Sequence, residues 1–129
     1  MNSNIFREYD IRGLHETDLT SDVVANIGRA LGTLLRRRGE ETICIGRDVR
    51  TSSPRLMNCI AEGLLSTGMD VFDVGEVPTP ALYFSIQQQE SGGGVQVTGS
   101  HNPIEYNGFK MMHRSESIYG DQIQDIRKL

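Results

Sequence analysis

Apolar positions along the chain alternate between helical and extended spacing. Over residues 20–38, Val23, Val24, Ile27, Ala30, Leu31, Leu34 and Leu35 recur every three or four positions, the stripe of an amphipathic helix. Thr20, Ser21 and Asp22 offer side-chain oxygens to the first free amides, and Gly39 after three arginines supplies the stop. Gly28 and Gly32, four apart on this helix, predict close packing against a neighbour. Thr42-Ile43-Cys44-Ile45 reads as a short strand ending at Gly46. Ser53-Pro54 opens a second helix with proline at its first position, Leu56, Ile60, Leu64 and Leu65 facing inward and Gly68 closing it. Asp70-Val71-Phe72-Asp73-Val74 is the next strand, and Thr79-Pro80 starts a shorter helix with Ala81, Leu82, Phe84 and Ile86. Gly92-Gly93-Gly94 reads as a flexible connection into the strand Val95-Gln96-Val97, and Gly108-Phe109-Lys110-Met111-Met112 as a strand pairing with it. Asp121, Gln122, Ile123, Ile126 and Leu129 begin a last helical pattern that stops after about two turns with no cap, so the chain is expected to be cut from a longer protein.

Strands alternating with helices predict one α/β domain over residues 1–129, a three-layer α/β/α sandwich with a mixed, mostly parallel sheet. Composition narrows the class. Apolar residues are 37% and charged residues 23%, a globular balance that excludes a disordered or collagen-like chain. No apolar run approaches the ~18 residues that span a bilayer, and the N-terminus lacks the basic-then-apolar pattern of a secretory signal. Seventeen acidic against thirteen basic residues give a net charge of −4, which argues against general nucleic-acid binding. Cys44 and Cys59 form no CxxC pair; two buried free thiols and a cytoplasmic location are expected.

In open α/β sheets, ligands sit at the carboxyl ends of the strands. Three polar segments fall there: Gly46-Arg47-Asp48-Val49-Arg50-Thr51-Ser52-Ser53, Thr98-Gly99-Ser100-His101-Asn102-Pro103, and Phe6-Arg7-Glu8-Tyr9-Asp10-Ile11-Arg12-Gly13, which could fold back over the same edge. Gly99 lets the backbone bend and a bulky ligand approach Ser100, whose hydroxyl could act as a nucleophile or carry a phosphoryl group. His101 could move protons or balance phosphate charge. Asn102-Pro103 stiffens the turn, and Asn107-Gly108 reads as a tight turn that delivers Lys110 to the returning strand. Each residue alone also reads as ordinary surface: a solvated Ser-His turn, a surface arginine. Together they support an anion or phosphate site. Adjacent Ser and His side chains diverge and no Gly-x-Ser-x-Gly elbow is present, so a Ser-His-Asp hydrolase fits poorly. A Walker A motif and a dinucleotide glycine fingerprint are likewise missing from the sequence.

Thr98-Gly99-Ser100-His101-Asn102-Pro103, followed by Tyr106-Asn107-Gly108-Phe109-Lys110, resembles the phosphoserine loop of the α-D-phosphohexomutases. The opening block 6–13 resembles the start of the phosphomannomutase/phosphoglucomutase branch, and Gly46-Arg47-Asp48-Val49-Arg50 and Val74-Gly75-Glu76-Val77-Pro78-Thr79-Pro80 are similar to further blocks. The glycine at 99 is alanine in many relatives, a small-for-small exchange expected to be neutral.

The resemblance implies the first of four domains of a cytoplasmic mutase that interconverts hexose 1- and 6-phosphates through a hexose 1,6-bisphosphate. Ser100 would be the phosphoserine and, through its phosphate, a ligand of one Mg²⁺. His101, Lys110 and Arg12 would be catalytic, assisting proton transfer and charge balance. Tyr9, Arg12, Asn102 and Lys110 would contact the phosphosugar, while Arg47 and Asp48 brace the loop. The family's Asp-x-Asp-x-Asp metal loop, sugar-specificity loop and C-terminal phosphate loop are not in these 129 residues. The partners implied are therefore a phosphosugar and the later domains of the same chain, and this segment alone is expected to be inactive. The alternatives are a phosphoglucosamine mutase domain and a non-catalytic phosphosugar-binding module.

Overall fold

The computed structural model describes residues 2–128. A 3-10 turn at Ser3–Ile5 leads into strand β1 (Ile11–Leu14), and helix α1 (Ser21–Arg37) follows. Then come β2 (Thr42–Arg47), α2 (Ser53–Ser66), β3 (Asp70–Glu76), α3 (Thr79–Gln88), β4 (Gly93–Val97), β5 (Tyr106–His113), the short β6 (Glu116–Ser117) and α4 (Asp121–Lys128). The sheet order is β1-β5-β4-β2-β3, with β6 also on β5. β2 pairs in parallel with β3 and β4, while β5 runs antiparallel to β4, β1 and β6. β5 alone therefore opposes the other strands, and the sheet is mixed but mostly parallel.

Local chemistry accounts for the helices. Thr20 caps α1 by accepting the Val23 amide, and Gly39 takes φ +84 just beyond its end. Leu31 and Leu35 of α1, Leu56, Ile60 and Leu64 of α2, and Ile123 and Ile126 of α4 pack with Ile43, Ile45, Val95, Val97, Phe109 and Met111 in one core. A smaller core lies on the other face, where Leu82 and Ile86 of α3 meet Cys44 and Met112. These are the three layers. α1 and α2 touch almost backbone to backbone: a Cβ on Gly28 would strike the Ile60 carbonyl, and one on Gly63 the Ala25 carbonyl.

Several expectations change. Residues 11–14 form an edge strand on β5, although they read as part of a polar loop. Gly93 and Gly94 are not a flexible connection but the buried start of β4; Ile86 crowds the space beside Gly94, and Leu35 and the Met112 carbonyl that beside Gly93. Asn107-Gly108 lies within β5, so the chain turns earlier, at the serine segment. The Asn107 amide is buried and donates to the Ser52 and Ser53 hydroxyls, which holds an asparagine in a strand. Pro54 stands second in α2, after Ser53. Leu65, expected inside, is 57% exposed, and Phe84 of α3 is 62% exposed. Cys44 and Cys59 are free; Cys44 is buried, which pushes its thiol up, and Cys59 is half-buried. Leu129, counted in the last helical pattern, lies outside the described residues.

Candidate functional site

The loop between β4 and β5 is held from below by three side chains distant in sequence. Asp48, just after β2, accepts the Gly99 amide at 3.0 Å through Oδ2, and its Oδ1 accepts the Arg50 amide and the Ser53 hydroxyl. Burial pushes the Asp48 carboxyl up, but the donors from Ser53, Gly99 and Arg50 outweigh it and hold the group below its ordinary value. The Arg12 guanidinium is only 4% exposed; its Nη1 donates to the Gly99 carbonyl at 2.6 Å, and Nε and Nη2 donate to Asp10 Oδ2. Arg50 is the third. Its Nη1 donates to the carbonyls of Pro103 (2.7 Å) and Tyr106 (2.9 Å), and its Nη2 to those of Ser100 (3.2 Å) and Asn102 (2.6 Å).

This scaffold presents Ser100 at an exposed position with φ +52, in the left-handed region that L-residues occupy at a cost of roughly 1 kcal/mol. The Ser100 amide is satisfied by Thr98 Oγ1 at 3.0 Å, and the Asn102 amide and side chain both donate to the Gly99 carbonyl. The loop backbone is thereby engaged inward. The Ser100 hydroxyl and the His101 ring, both on exposed residues, make no hydrogen bond among the described residues.

Sheet parity places the other predicted residues. Phe109 and Met111 face the large core, so Lys110 between them projects to the α3 side of the sheet, opposite Gln96 in register. Arg12, opposite Gly108, shares that side, because its neighbour Ile11 is in the large core. α3 packs on β2 and β4 and reaches β5 at Met112. The Lys110 ammonium is half-buried and makes no hydrogen bond or ion pair among the described residues. Tyr9 is 72% exposed and stacks on Tyr119, ring centroids 6.2 Å apart.

Three expectations for individual residues differ from this geometry. Arg47 does not brace the loop; it pairs with Glu76 on the neighbouring strand at 3.1 Å, and Arg50 has the loop contacts instead. Arg12 and Asn102, expected toward substrate, turn inward to the Gly99 carbonyl. A Cβ at position 99 would meet the Arg50 guanidinium, which would have to shift to admit it. Arg50 belongs to the polar block already singled out, but nothing in the sequence signalled this role, since its four acceptors are backbone carbonyls fifty or more positions away.

A groove of about 410 Å³ adjoins the loop, lined by Asp48, Val77, Thr79, Gln96 and Thr98 among others. Gln96 is buried beside it; its Nε2 donates to the Val77 carbonyl, and its Oε1 has no hydrogen-bond partner among the described residues. A second hollow of about 570 Å³, between α1 and α4, is lined by Arg29, Arg37, Arg127 and Lys128 and includes no residue of the serine loop.

A divalent cation does not fit these residues alone. Mg²⁺ takes hard oxygen ligands in near-octahedral geometry. Ser100 offers one such oxygen, or those of a phosphate upon it, while the Asp48 carboxylate is already committed to Gly99, Ser53 and Arg50. No group of three or more His, Cys, Asp or Glu side chains suited to a metal occurs among the described residues. Nor is any helix among them long and apolar enough to cross a membrane.

Comparison with known proteins agrees with this arrangement. Residues 3–129 match the family model described as phosphoglucomutase/phosphomannomutase, alpha/beta/alpha domain I. The chain is 45% identical over 126 residues to a phosphomannomutase/phosphoglucomutase of Pseudomonas aeruginosa and 46% identical over 123 residues to a phosphoglucomutase of Neisseria gonorrhoeae. It covers 98% and 95% of itself in these matches but only 27% of the length of either relative. A crystal structure of a phosphoglucomutase/phosphomannomutase family protein from Burkholderia thailandensis superposes with a TM-score of 0.94 at 44% identity, covering 99% of this chain and 30% of that one.

Proposed function

The chain belongs to the phosphoglucomutase/phosphomannomutase family as its α/β/α domain I, and from that premise we propose that it is the phosphoryl-carrying domain of a hexose-phosphate mutase. Ser100 Oγ carries the phosphoryl group. A hexose 1-phosphate takes it on O6, giving a hexose 1,6-bisphosphate and free Ser100. Return of the other phosphoryl group, from O1 to Ser100, releases the hexose 6-phosphate and restores the phosphoserine. One observation carries this reading: Ser100 is exposed at φ +52 on a loop whose backbone is tied inward by Asp48, Arg50 and Arg12. Phosphoryl transfer asks a protein chiefly for positioning and for cations around the moving group. The loop supplies the first, and the His101 ring and Lys110 ammonium are uncommitted to supply the second.

Tyr9 is exposed enough to meet the sugar. Arg12, by contrast, acts in this proposal through the Gly99 carbonyl that it holds. Mg²⁺ belongs to the proposal as the resemblance implies it, with its further ligands from outside this segment, as do the remaining domains. The two free thiols suit a reducing cytoplasm. The test is a chimera in which this chain replaces the matching segment of the Pseudomonas aeruginosa relative, assayed on glucose 1-phosphate and mannose 1-phosphate. Intact mass should show one phosphate, lost with Ser100→Ala together with turnover. Turnover that survives Ser100→Ala would overturn the assignment.

A further inference from the structure

The serine loop turns several of its own carbonyl oxygens toward one side chain. Four of these, on Ser100, Asn102, Pro103 and Tyr106, converge on the two terminal nitrogens of Arg50 at 2.6–3.2 Å. The remaining donor, Nε, lies 3.4 Å from Asp48 Oδ2, the oxygen that also accepts the Gly99 amide. Both terminal nitrogens are therefore engaged by loop backbone, and Nε stands in ion-pair range of the loop's own anchor. Gly99 completes the fit: it lacks a Cβ, so the flat guanidinium lies against its backbone.

From this geometry we infer that Arg50 is a positioning residue, which fixes the conformation of Ser100 and does not bind phosphate. A cation next to a phosphoserine loop invites the opposite reading, in which its charge neutralises phosphate. The hydrogen bonds rule against it, because each terminal nitrogen of Arg50 already donates to two loop carbonyls. The function is geometric. Left-handed backbone at a serine persists only where its surroundings over-determine it, and Arg50 holds four loop carbonyls between 100 and 106, while that of Glu105 accepts the His15 amide. The required chemistry is a planar fork with five fixed donors, which lysine cannot reproduce with three donors on one nitrogen. Charge and geometry thus separate cleanly in one substitution.

The experiment compares Arg50→Lys with Arg50→Met in two settings. In the 129-residue chain, backbone NMR reports residues 99–106 against the core strands. Both variants should shift or broaden the Ser100, Asn102 and Tyr106 amides while β2 and β4 core resonances stay in place. In the chimera with the Pseudomonas aeruginosa relative, the inference rests on the phosphoryl-carrier reading. There both variants should lower kcat by about 10²-fold, the usual cost of a displaced reacting group, with KM within a few-fold of the parent. Arg50→Lys retaining most of the parental kcat would make Arg50 a charge donor and overturn the inference. So would unchanged loop resonances in both variants. A parent chimera without turnover would count against the carrier reading alone, and the NMR comparison would still decide Arg50. If Arg50→Met fails to fold, Arg50→Lys carries both arms.

Discussion

Asp48 and Gly99, 51 residues apart in the chain, are joined by a hydrogen bond from the Gly99 amide to Asp48 Oδ2 at 3.0 Å. The bond ties the end of β2 to the end of β4, so the serine loop rests on the most buried part of the sheet. It also couples the loop to protonation, since Asp48 is held below the ordinary carboxylate value by its donors despite burial. A carboxyl lowered in the folded state contributes stability above its unfolded pKa and loses it as pH falls through the folded value. Acidification below about pH 4 should therefore release the loop. The protection of the Gly99 amide relative to its intrinsic exchange rate, followed by NMR, should fall in that range. In Asp48→Asn the acid dependence should flatten, while exchange is fast already at neutral pH. A pH profile identical in the two proteins would refute the coupling.

Glu40 anchors the other end of the molecule. Its buried carboxylate accepts Arg114 Nε and Nη2, both at 2.6 Å, and lies 2.7 Å from His113 Nε2. Gly92 makes the room, since a Cβ there would press on the Glu40 side chain at 2.6 Å. Hydrogen bonds from Arg114 hold this carboxyl below its ordinary value, against the effect of burial, with His113 assisting. Arg114 is largely exposed, so solvent screens much of the pairing. Glu40→Gln is expected to cost about 1 kcal/mol at neutral pH, a few degrees in Tm. The difference from the parent should shrink as the parent carboxyl is protonated in acid. Equal melting temperatures at pH 7 would show that the cluster adds nothing.

What the sequence made legible were the elements whose causes are local. α1 announces itself through Thr20, its apolar stripe and Gly39, all within twenty residues. β1 does not, because Arg12 inside it is buried only by virtue of Asp10 and a carbonyl 87 positions away. Gly93 and Gly94 suggest flexibility by intrinsic preference, and only Ile86 and Leu35, packed beside them, show why they must be small. The serine segment itself was visible, together with its anchor Asp48. Arg50 stood in the same polar block, but its role was not legible, because its partners are backbone carbonyls, and carbonyls leave no mark in a sequence.

The contact between α1 and α2 tests the packing directly. Gly28 stood out in the sequence, but its counterpart Gly63 did not. A methyl at 63 would meet the Ala25 carbonyl and lie 2.8 Å from the Arg29 amide, both fixed in helical backbone. Helix propensity favours alanine by up to ~1 kcal/mol, so a purely local view predicts stabilisation. Overpacking against backbone costs typically 1–3 kcal/mol and should win. Gly63→Ala is expected to lower Tm, and any increase would mean that the helices separate freely.

Ser100 allows strain to be separated from chemistry. At φ +52 a glycine is relaxed, whereas alanine keeps the penalty of a side chain in the left-handed region. Ser100→Gly should be more stable than Ser100→Ala by about 1 kcal/mol. Both should be equally unable to accept phosphate. Thermal melts of the two variants give the first quantity, and intact mass after incubation with glucose 1,6-bisphosphate gives the second. Equal stability would show that the left-handed conformation does not survive in solution.

The last expectation concerns the 129-residue chain alone, which should fold but not turn over hexose phosphates. Two apolar cores, one on each face of the sheet, give it the interior of a stable domain. Catalysis is another matter, because the cations nearest the loop are already spent. Arg12 is bound to Asp10 and the Gly99 carbonyl, and Arg50 to four other carbonyls. His101 and Lys110 remain to meet the charge of a transferring phosphoryl group and to bind the sugar's own phosphate, tasks at opposite ends of a bisphosphate. With one end unheld, the entropic benefit of orientation is largely lost, which alone is worth several powers of ten in rate. A cooperative melt is expected, with no conversion of glucose 1-phosphate or mannose 1-phosphate above a Ser100→Ala control. Measurable turnover by the purified chain, absent from that control, would mean that His101 and Lys110 suffice and that the further domains are dispensable for the chemistry.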